Sequence, residues 1–489
     1  MLWLALLFWP ASAAGQDPFQ DPVITRGPYL QAADETSVLV QWRTDKPVSA
    51  AVEVETAPMQ FTLFEEGVVV IEHQIRIVGL RPGTRYSYRL LHEKVPVKET
   101  DRFFRTAPPA GTGFVRCAVV GDSGTGDGTQ IAVAGVMSRM DPHIFIHTGD
   151  LDYLGDVDKS VFGPFRDLLS RAPFFPCMGN HDFFLPWRGL FPMEFPPEAE
   201  NKDDGHFLSY DWGPAHFVIL DTETGFFPNT VQMRWFEADL AAARQRKAPW
   251  IIVYFHQPLF TVGAYSAGFE PQFRQAVFLP IAQQYGVDLV LNGHDHNYQR
   301  SHPVQFVGLA DGLPLVEVHD AWQSPSFRSP GHLINVVTGG GGRFLYSEVP
   351  NSDHRFTERF LEEHHALEME ITPARLSLRA ISADERVVDE FEIRKDVLRL
   401  GPAYVRGDVT LDRAVGLSDA ISVLNHLFFG EALLCPGVAD ANASDGVNIT
   451  DPIFLLNHLF LGEAPPAAPY PDCGTEPLLD DRWCYRIEC

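Results

Sequence analysis

The sequence is short of positive charge. Its 489 residues include 38 Lys and Arg against 64 Asp and Glu, which gives a formal net charge of −26. Such an excess of negative charge repels nucleic acid backbones and anionic lipid surfaces, so we expect neither as a partner. An anionic substrate would need a local cation, and in an acidic chain a bound metal ion is a common source of one.

Cysteine is scarce as well. Six cysteines over this length do not make a disulfide scaffold. Cys117 and Cys177 lie in apolar runs and are expected to be buried thiols. The other four fall within the last 55 residues and suit disulfides in an oxidising compartment: Cys435, Cys473, Cys484 and Cys489.

The chain begins with an apolar run of the kind found in targeting segments. Residues 2–9 are apolar and lead into Pro10 and small residues, which resembles a secretory signal peptide over residues 1–14; the alternative is a buried N-terminal segment. No other stretch approaches the roughly 20 apolar residues of a membrane span. We therefore expect a secreted or extracytoplasmic protein without a membrane-spanning helix.

The length of the whole chain predicts about three domains. After the apolar start, the pattern of apolar and polar residues changes along the sequence and separates three parts. Residues 21–107 alternate apolar and polar positions in short runs, which predicts an all-β sandwich. Within it, IRIVGLRPGTRYSYRL resembles fibronectin type III domains, which serve as spacers or docking surfaces. The Pro- and Gly-containing stretch TAPPAGTG indicates a linker before the next domain.

Residues 113–397 have a different pattern, in which continuous apolar runs end in polar residues. The runs are FVRCAVVGD, HIFIHTGD, FFPCMGNHD, HFVILDTE, WIIVYFHQP and VDLVLNGHDH. Strands covered on both faces have this composition, and the helical period from Thr129 to Met140 suits a crossover between two of them. This part therefore predicts a layered α/β domain with ligands at the carboxyl ends of its strands.

Those strand ends carry metal-ligand chemistry. Hydrolysis of a phosphate ester near neutral pH is served by two metal ions that share a carboxylate, with oxygen and nitrogen ligands on each side. Glycines before four of the candidates are expected to let the backbone approach the ions, and an extended His294-Asp295-His296 segment would project both histidines to one side. The candidate ligands are Asp122, Asp150, Tyr153, Asn180, His256, His294 and His296.

The ordered motifs GDSG, GDLDY, GNHD, VYFH and GHDH resemble the calcineurin-like metallophosphoesterases, and specifically the purple acid phosphatases. The resemblance implies an α/β/β/α sandwich, often preceded by a fibronectin-like domain. It also implies that Fe³⁺ is held by Asp122, Tyr153 and His296. A divalent Fe, Zn or Mn would be held by Asn180, His256 and His294, and Asp150 would bridge the two ions. A tyrosine at position 153 is what separates this subfamily from its relatives.

The same resemblance gives catalytic roles. His181 is similar to the family histidine that contacts substrate phosphate or the leaving oxygen, and Asp182 is expected to orient it. The implied activity is an acid phosphatase that hydrolyses phosphate monoesters by attack of a metal-bound hydroxide. The loop QPLFTVGAYSAGFE after His256 lacks the histidine that family members often carry there. A metallophosphodiesterase or nucleotide pyrophosphatase on the same core therefore remains an alternative. An alternative of another class is a surface adhesion protein in which the β-sandwich and the C-terminal repeats matter and the enzyme core is vestigial.

Residues 404–467 contain an internal repeat. LNHLFFGEA from Leu424 recurs as LNHLFLGEA from Leu456, 32 residues later. Each copy follows a 12-residue loop with oxygen side chains at spaced positions, which indicates Ca²⁺ binding; the alternative is a solvated acidic helix pair. The candidate calcium ligands are Asp408, Thr410, Asp412 and Asp419 in one loop, and Asp440, Asn442, Ser444, Asn448 and Asp451 in the other.

The pair of loops resembles dockerin modules, although Arg413 stands at the turn glycine of the first loop. The resemblance implies docking to a protein or cell-surface partner. A Cys-containing tail, residues 468–489, follows.

Overall fold

The computed structural model describes most of the chain. The described residues are 21–98, 102–199, 206–267, 269–319, 326–328, 332–395, 405–410, 412, 414–431, 433, 436–444, 446–468 and 470–471. The predicted signal peptide and four of the cysteines, Cys435, Cys473, Cys484 and Cys489, lie outside them. In the described part of the chain, no helix has both the length and the apolar composition to cross a membrane.

The N-terminal part is all-β. Its six strands form one hydrogen-bonded antiparallel sheet, in which the 20-residue β2 pairs with β1 through its first half and with β4 through its second. Trp42 and Tyr88 are among the side chains buried in its core. The strands are β1 (Ile24–Gln31), β2 (Val38–Ala57), β3 (Gln60–Ile77), β4 (Arg85–His92), β5 (Val95–Pro96) and β6 (Arg102–Arg105).

Two seven-stranded sheets build the central part. Six of their strands are the buried runs predicted from the sequence, and each pairs in parallel with a neighbour: β7 (Val115–Val120), β8 (Ile144–His147) and β9 (Phe174–Pro176) in one sheet, and β11 (Ala215–Ile219), β12 (Trp250–Tyr254) and β13 (Leu289–Asn292) in the other. The remaining strands of this part are β10 (Leu208–Trp212), β14 (Tyr298–Ser301), β15 (Val304–Ala310), β16 (Leu313–Val318), β17 (Ser326–Arg328), β18 (Ile334–Thr338), β19 (Thr357–Leu361), β20 (His365–Ile371), β21 (Arg375–Ser382) and β22 (Val387–Arg394).

The two central sheets pack face to face. One sheet runs β10-β11-β12-β13-β18-β14-β19 and the other β17-β22-β21-β20-β7-β8-β9, while β15 and β16 form a separate hairpin. Trp250, Ile252 and Tyr254 of β12 pack in the large core that also contains β7 and β8, whereas Ile251 and Val253 point to a second core with the helices. The two sheets therefore face each other, as the layered α/β prediction requires.

Helices cover the outer faces. The predicted crossover is helix α1 (Gly128–Arg139), which begins at Asp127, whose carboxylate accepts hydrogen bonds from the backbone of Thr129 and Gln130. The other helices of this part are α2 (Arg166–Leu169), α3 (Trp187–Leu190), α4 (Val231–Gln245) and α5 (Glu270–Tyr285).

The N-terminal sheet packs against the segment that follows Tyr153. The Arg26 guanidinium pairs with Asp158 at 2.8 Å, and the Tyr29 ring lies 4.7 Å from that of Phe162. These contacts support the loop that carries two of the predicted metal ligands.

The C-terminal repeat is a repeat in structure as well as in sequence. Helices α6 (Leu417–Phe429) and α8 (Thr450–Leu461) pack on each other, with the short α7 (Pro436–Ala439) between them. Both long helices end at a left-handed glycine, Gly430 and Gly462, each with φ of 70°.

Candidate metal centre

The candidate ligands follow strands of both central sheets. Asp122 and Asp150 come after β7 and β8, and His256 and His294 after β12 and β13. Because the carboxyl ends of these strands lie at one edge, residues more than 170 positions apart come together. The backbone N–H of His294, for example, donates to Oδ2 of Asp122 at 2.9 Å.

Asp150 is central to this cluster. Ligand atoms of Asp122, Asp150 and His256 all lie within 4.8 Å of one another, and all three side chains are buried. Oδ1 of Asp150 lies 3.4 Å from Nε2 of His256, whereas Oδ2 accepts a hydrogen bond from the Tyr153 hydroxyl at 2.9 Å. The two oxygens of one carboxylate thus face two different groups of side chains.

The first group surrounds the Tyr153 hydroxyl. This oxygen lies 3.3 Å from Oδ1 of Asp122 and 3.2 Å from Nε2 of His296. Burial raises the pKa of Tyr153 well above its ordinary value, and the charges of Asp122 and Asp150 raise it further. A phenolate would therefore form here only beside a compensating cation.

The second group surrounds His256. Its Nε2 lies 3.1 Å from Oδ1 of Asn180 and 3.1 Å from Nδ1 of His294. Burial alone would lower the pKa of His256, but Asp150 and Asp122 raise it well above its ordinary value. The position stabilises positive charge, which is the electrostatic requirement of a cation site.

Two backbone carbonyls fix the histidine rings. Nδ1 of His256 donates to the carbonyl of Thr148 at 2.9 Å, and Nδ1 of His296 donates to that of Phe344 at 2.9 Å. Since a carbonyl can only accept, the Nε2 atoms are the ones presented to the cluster. Such a second hydrogen bond is the usual support of a histidine that ligates a metal.

The ligand loops are strained and tightly packed. Asp122, Asp150 and His294 have φ of 55°, 58° and 70°, in the left-handed region. A Cβ on Gly149 would lie 2.5 Å from Nδ1 of His256, and one on Gly179 would lie 2.3 Å from the Asp150 backbone nitrogen. The prediction that glycines make room for ions is therefore incomplete, because here they also let the ligand loops contact each other.

One geometric prediction is wrong. The segment from His294 to His296 is not extended: His294 is left-handed, and the backbone N–H of Asp295 donates to the Gly293 carbonyl at 2.9 Å. Both rings still reach the cluster, but on different sides. His294 lies beside His256, and His296 lies beside Tyr153.

The two predicted catalytic residues are adjacent to the cluster. His181 is exposed, its backbone N–H donates to Oδ1 of Asp150 at 2.8 Å, and its ring lies 4.5 Å from that of Tyr153. Asp182 is buried and accepts backbone hydrogen bonds from Gly179, Asp150 and Leu151 at 2.8 to 2.9 Å. The expectation that Asp182 orients His181 is therefore corrected, since its carboxylate holds the turns that carry Asp150 and Asn180.

His147 supports the same turn. Its Nδ1 accepts from the backbone N–H of Gly149 at 3.2 Å, and its Nε2 lies 2.8 Å from the Ser123 hydroxyl. Three further histidines each lie beside a carboxylate: His206 beside Asp221, His216 beside Asp211 and Asp239, and His302 beside Glu358. Cys117 and Cys177 are buried free thiols, as predicted.

Sequence reasoning missed an aromatic and cationic rim. The Tyr265 ring lies 3.7 Å from that of His294, and the Tyr346 ring stacks on His296 at 4.2 Å. The guanidinium of Arg343 lies over the Tyr153 ring, with 4.6 Å from Cζ to the ring centroid. The run INVVTGGGGR could have pointed to Arg343, because it is another apolar strand followed by glycines and a polar residue.

The candidate calcium ligands make equivalent hydrogen bonds in the two loops of the C-terminal repeat. Backbone N–H groups of Thr410 and Asn442 donate to Oδ1 of Asp419 and Asp451 at 2.8 and 3.3 Å. Four carboxylates of the two loops are buried: Asp408, Asp419, Asp440 and Asp451. The remaining candidates are Asp412 and Ser444, whose N–H groups donate to the first aspartate of each loop, and Asn448, whose N–H donates to Asp451.

Comparisons with known proteins agree with this geometry. Residues 115–298, which contain all seven candidate ligands, match the calcineurin-like phosphoesterase family model. Purple acid phosphatase 1 of Ipomoea batatas is 32% identical over 299 residues, 57% of this chain and 60% of the relative. Acid phosphatase type 7 of Homo sapiens is 25% identical over 346 residues, 63% of this chain and 75% of the relative. The chain spans about half to three quarters of the length of the curated relatives it matches.

A solved structure shares the fold. A purple acid phosphatase from seeds of yellow lupin (Lupinus luteus) superimposes with a TM-score of 0.63 at 20% identity, covering 76% of this chain and 75% of that one. The central part thus matches the calcineurin-like phosphoesterase family model over residues 115–298 and shares its fold with a purple acid phosphatase.

Proposed function

We propose that the chain is a secreted acid phosphatase that hydrolyses phosphate monoesters at a dinuclear metal centre. One observation carries this proposal. The two oxygens of Asp150 face two separate sets of ligand-type atoms, one around Tyr153 and one around His256. A carboxylate placed in this way would be able to hold two cations, one through each of its oxygens.

The donor atoms fit that centre. Carboxylate and phenol oxygens with one imidazole suit Fe³⁺, and an amide oxygen with two imidazoles suits divalent Fe, Zn or Mn. We assign Asp122, Tyr153 and His296 to the first ion, Asn180, His256 and His294 to the second, and Asp150 to both. When bound, the two ions would provide a nucleophile near neutral pH and neutralise charge that develops on the phosphoryl group.

The chain's own residues would supply the rest of the chemistry. His181 is exposed beside Tyr153, where its imidazole can hold a proton for the departing alcohol. Asp182 would act as a positioning residue through the backbone of the Asp150 turn.

A substrate panel tests this function. The protein, loaded with Fe and Zn, should hydrolyse 4-nitrophenyl phosphate faster than bis(4-nitrophenyl) phosphate. Asp150→Asn should abolish turnover. Faster hydrolysis of the diester would favour the metallophosphodiesterase or nucleotide pyrophosphatase, which the histidine-free loop after His256 permits. A fully loaded but inactive protein would favour an adhesion protein with a vestigial core.

The C-terminal repeat is proposed to be a dockerin-like module that binds Ca²⁺. The donor set fits a hard cation, and Oδ1 of Asn442 is a buried oxygen that lacks a hydrogen-bond partner in the described chain. Arg413, which lies outside the described residues, stands at the turn position of the first loop, so we propose that the second loop binds more tightly.

A partner surface is proposed on the two long helices. Large apolar side chains are exposed at equivalent positions of both repeats, with Phe428 and Phe460 exposed by 68% and 67%. The other pairs are Leu417 with Ile449, Ile421 with Ile453, and Phe429 with Leu461. Matched apolar patches suit a protein partner on the cell surface. Phe428→Glu with Phe460→Glu in the full chain should shift the protein from the cell surface to the medium, and unchanged retention would contradict this role.

Secretion and the N-terminal module complete the proposal. The apolar start of the sequence is proposed to be a signal peptide, and the all-β part a fibronectin-like spacer. N-terminal sequencing of the exported protein tests the first point. Export with cleavage after about residue 14 is expected, and retention inside the cell with an intact N-terminus would contradict it.

A further inference from the structure

Four consecutive glycines precede Arg343 and place it beside the candidate metal centre. Strand β18 ends at Thr338, and Gly339–Gly342 follow directly. A Cβ on Gly339 would lie 2.1 Å from the Asp295 carbonyl oxygen, so the run packs against the ligand loops. At its end, the backbone N–H of Arg343 donates to the carbonyl of Asp122 at 3.1 Å. The position of Arg343 is therefore fixed relative to a ligand residue.

The Arg343 side chain lies at the rim and keeps its charge available. It is half-buried, with its guanidinium carbon 4.6 Å from the Tyr153 ring centroid and 4.8 Å from that of Phe344. Within the described chain it pairs with no carboxylate, whereas the buried Arg300 pairs with Asp389 at 2.7 Å. Its N–H groups are therefore available to donate to an external anion.

The negative charge around the candidate metal centre would repel an anionic substrate, and the positive charge of Arg343 would offset this repulsion. Buried carboxylates of Asp122, Asp150, Asp182 and Asp295 surround the centre, and the chain as a whole carries −26. The charge of bound metal ions would be partly offset by these carboxylates. A doubly charged phosphate at the rim thus gains from a further fixed positive charge.

We propose that Arg343 binds two non-bridging oxygens of the substrate phosphate and makes the site selective for dianionic monoesters over monoanionic diesters. This inference rests on the proposed phosphatase function. A guanidinium is a planar fork that matches two phosphate oxygens. A monoester offers three non-bridging oxygens and two charges, whereas a diester offers two oxygens and one charge, so the contact favours the monoester.

The test compares Arg343→Gln and Arg343→Lys with the wild type. The matched control is Arg85→Gln, which removes an exposed arginine that lies on an aromatic ring, Phe103, at 3.9 Å in the N-terminal sheet. For each protein, kcat/KM is measured on 4-nitrophenyl phosphate and bis(4-nitrophenyl) phosphate, with metal content and thermal unfolding alongside.

The Gln variant should lose about 10- to 100-fold in kcat/KM on the monoester, the range for a lost charge-assisted hydrogen bond, and less than about threefold on the diester. The Lys variant should fall between it and the wild type, because an ammonium keeps the charge without the fork. Metal content should be unchanged, and the control should match the wild type. An unchanged monoester-to-diester ratio, an equal loss on both esters, or loss of metal would overturn the proposal.

Binding of inorganic phosphate gives a readout independent of turnover. Calorimetry on the metal-loaded proteins should show phosphate binding at least about tenfold weaker in the Gln variant than in the wild type. Equal affinity would overturn the role of Arg343. If the loaded wild type binds phosphate through Arg343 yet hydrolyses neither ester, the phosphatase proposal and the ester selectivity fail, while the phosphate contact of Arg343 stands.

Discussion

The hydroxyl of Tyr153 lies 2.9 Å from Oδ2 of Asp150, and this contact joins the proposed phenolate ligand to the residue placed between the two ligand groups. If Tyr153 holds Fe³⁺ as proposed, its phenolate would give a visible charge-transfer band, so the colour of the protein would report on this ligand.

Tyr153→Phe removes only the phenolic oxygen and keeps the ring on which His181 and Arg343 pack. We expect the visible band to disappear and iron content to fall, while the fold is kept. Absorption spectra and metal analysis of the two proteins check this. A variant that keeps the band would show that another residue is the chromophoric ligand.

Asp182→Asn should weaken the metal centre without touching a ligand. The Asp182 carboxylate accepts hydrogen bonds from several backbone N–H groups around Asp150. The amide of asparagine has only one acceptor oxygen, and its NH₂ group would face a backbone N–H, so that two donors would be opposed. We expect about 10- to 100-fold weaker metal binding, the usual effect of losing such support. Metal titration measures it, and unchanged affinity would contradict the positioning role.

Gly149→Ala should destroy the centre by steric conflict. Its Cβ would lie 2.5 Å from Nδ1 of His256, and φ at this position is 96°. Gly128→Ala is the matched control, because a Cβ there meets nothing within 4 Å at the start of α1. We expect loss of metal in the first variant and wild-type metal content in the second. Metal bound normally by Gly149→Ala would mean that the loops are looser than the structure indicates.

His216 should make stability depend on pH. Burial alone lowers its pKa, but hydrogen bonds to Asp211 and Asp239 raise it from 6.5 to about 9. Because the folded pKa lies above the unfolded value, the stabilisation is complete below pH 6.5 and is lost as the pH rises through 9. The loss should be of the order of 3 kcal/mol.

Urea unfolding of wild type and His216→Gln between pH 6 and pH 9.5 measures this effect. The wild type should lose stability across that range, and the variant should be less stable at pH 6 with a flatter profile. Parallel profiles would show that other groups set the pH dependence.

The position of the candidate ligands at strand ends could be predicted from the sequence, because the pattern that indicates it lies within a few consecutive residues. Each ligand follows a short apolar run, and parallel strands in a layered domain bring their carboxyl ends to one edge. Asp122, Asp150 and His256 therefore appear together as predicted. The turn at His294 was missed because alternation in an HxH segment holds only if its backbone is extended.

The roles of Asp182 and Arg343 depend on contacts between loops. Asp182 acts on the Asp150 turn, about 30 residues away, and Arg343 reaches Tyr153 from the end of β18. Neither pairing leaves a periodic signal in the chain. The residue type alone suggested that Asp182 served its neighbour His181, and the structure shows that it serves the backbone instead.

If Asp150 holds two metal ions, the number of ions bound per chain depends on its carboxylate. Wild type reconstituted with Fe and Zn should hold two ions per chain and hydrolyse 4-nitrophenyl phosphate, while Asp150→Ala should lose metal and turnover together. Full activity with a single ion, or an active Asp150→Ala protein, would contradict the dinuclear centre.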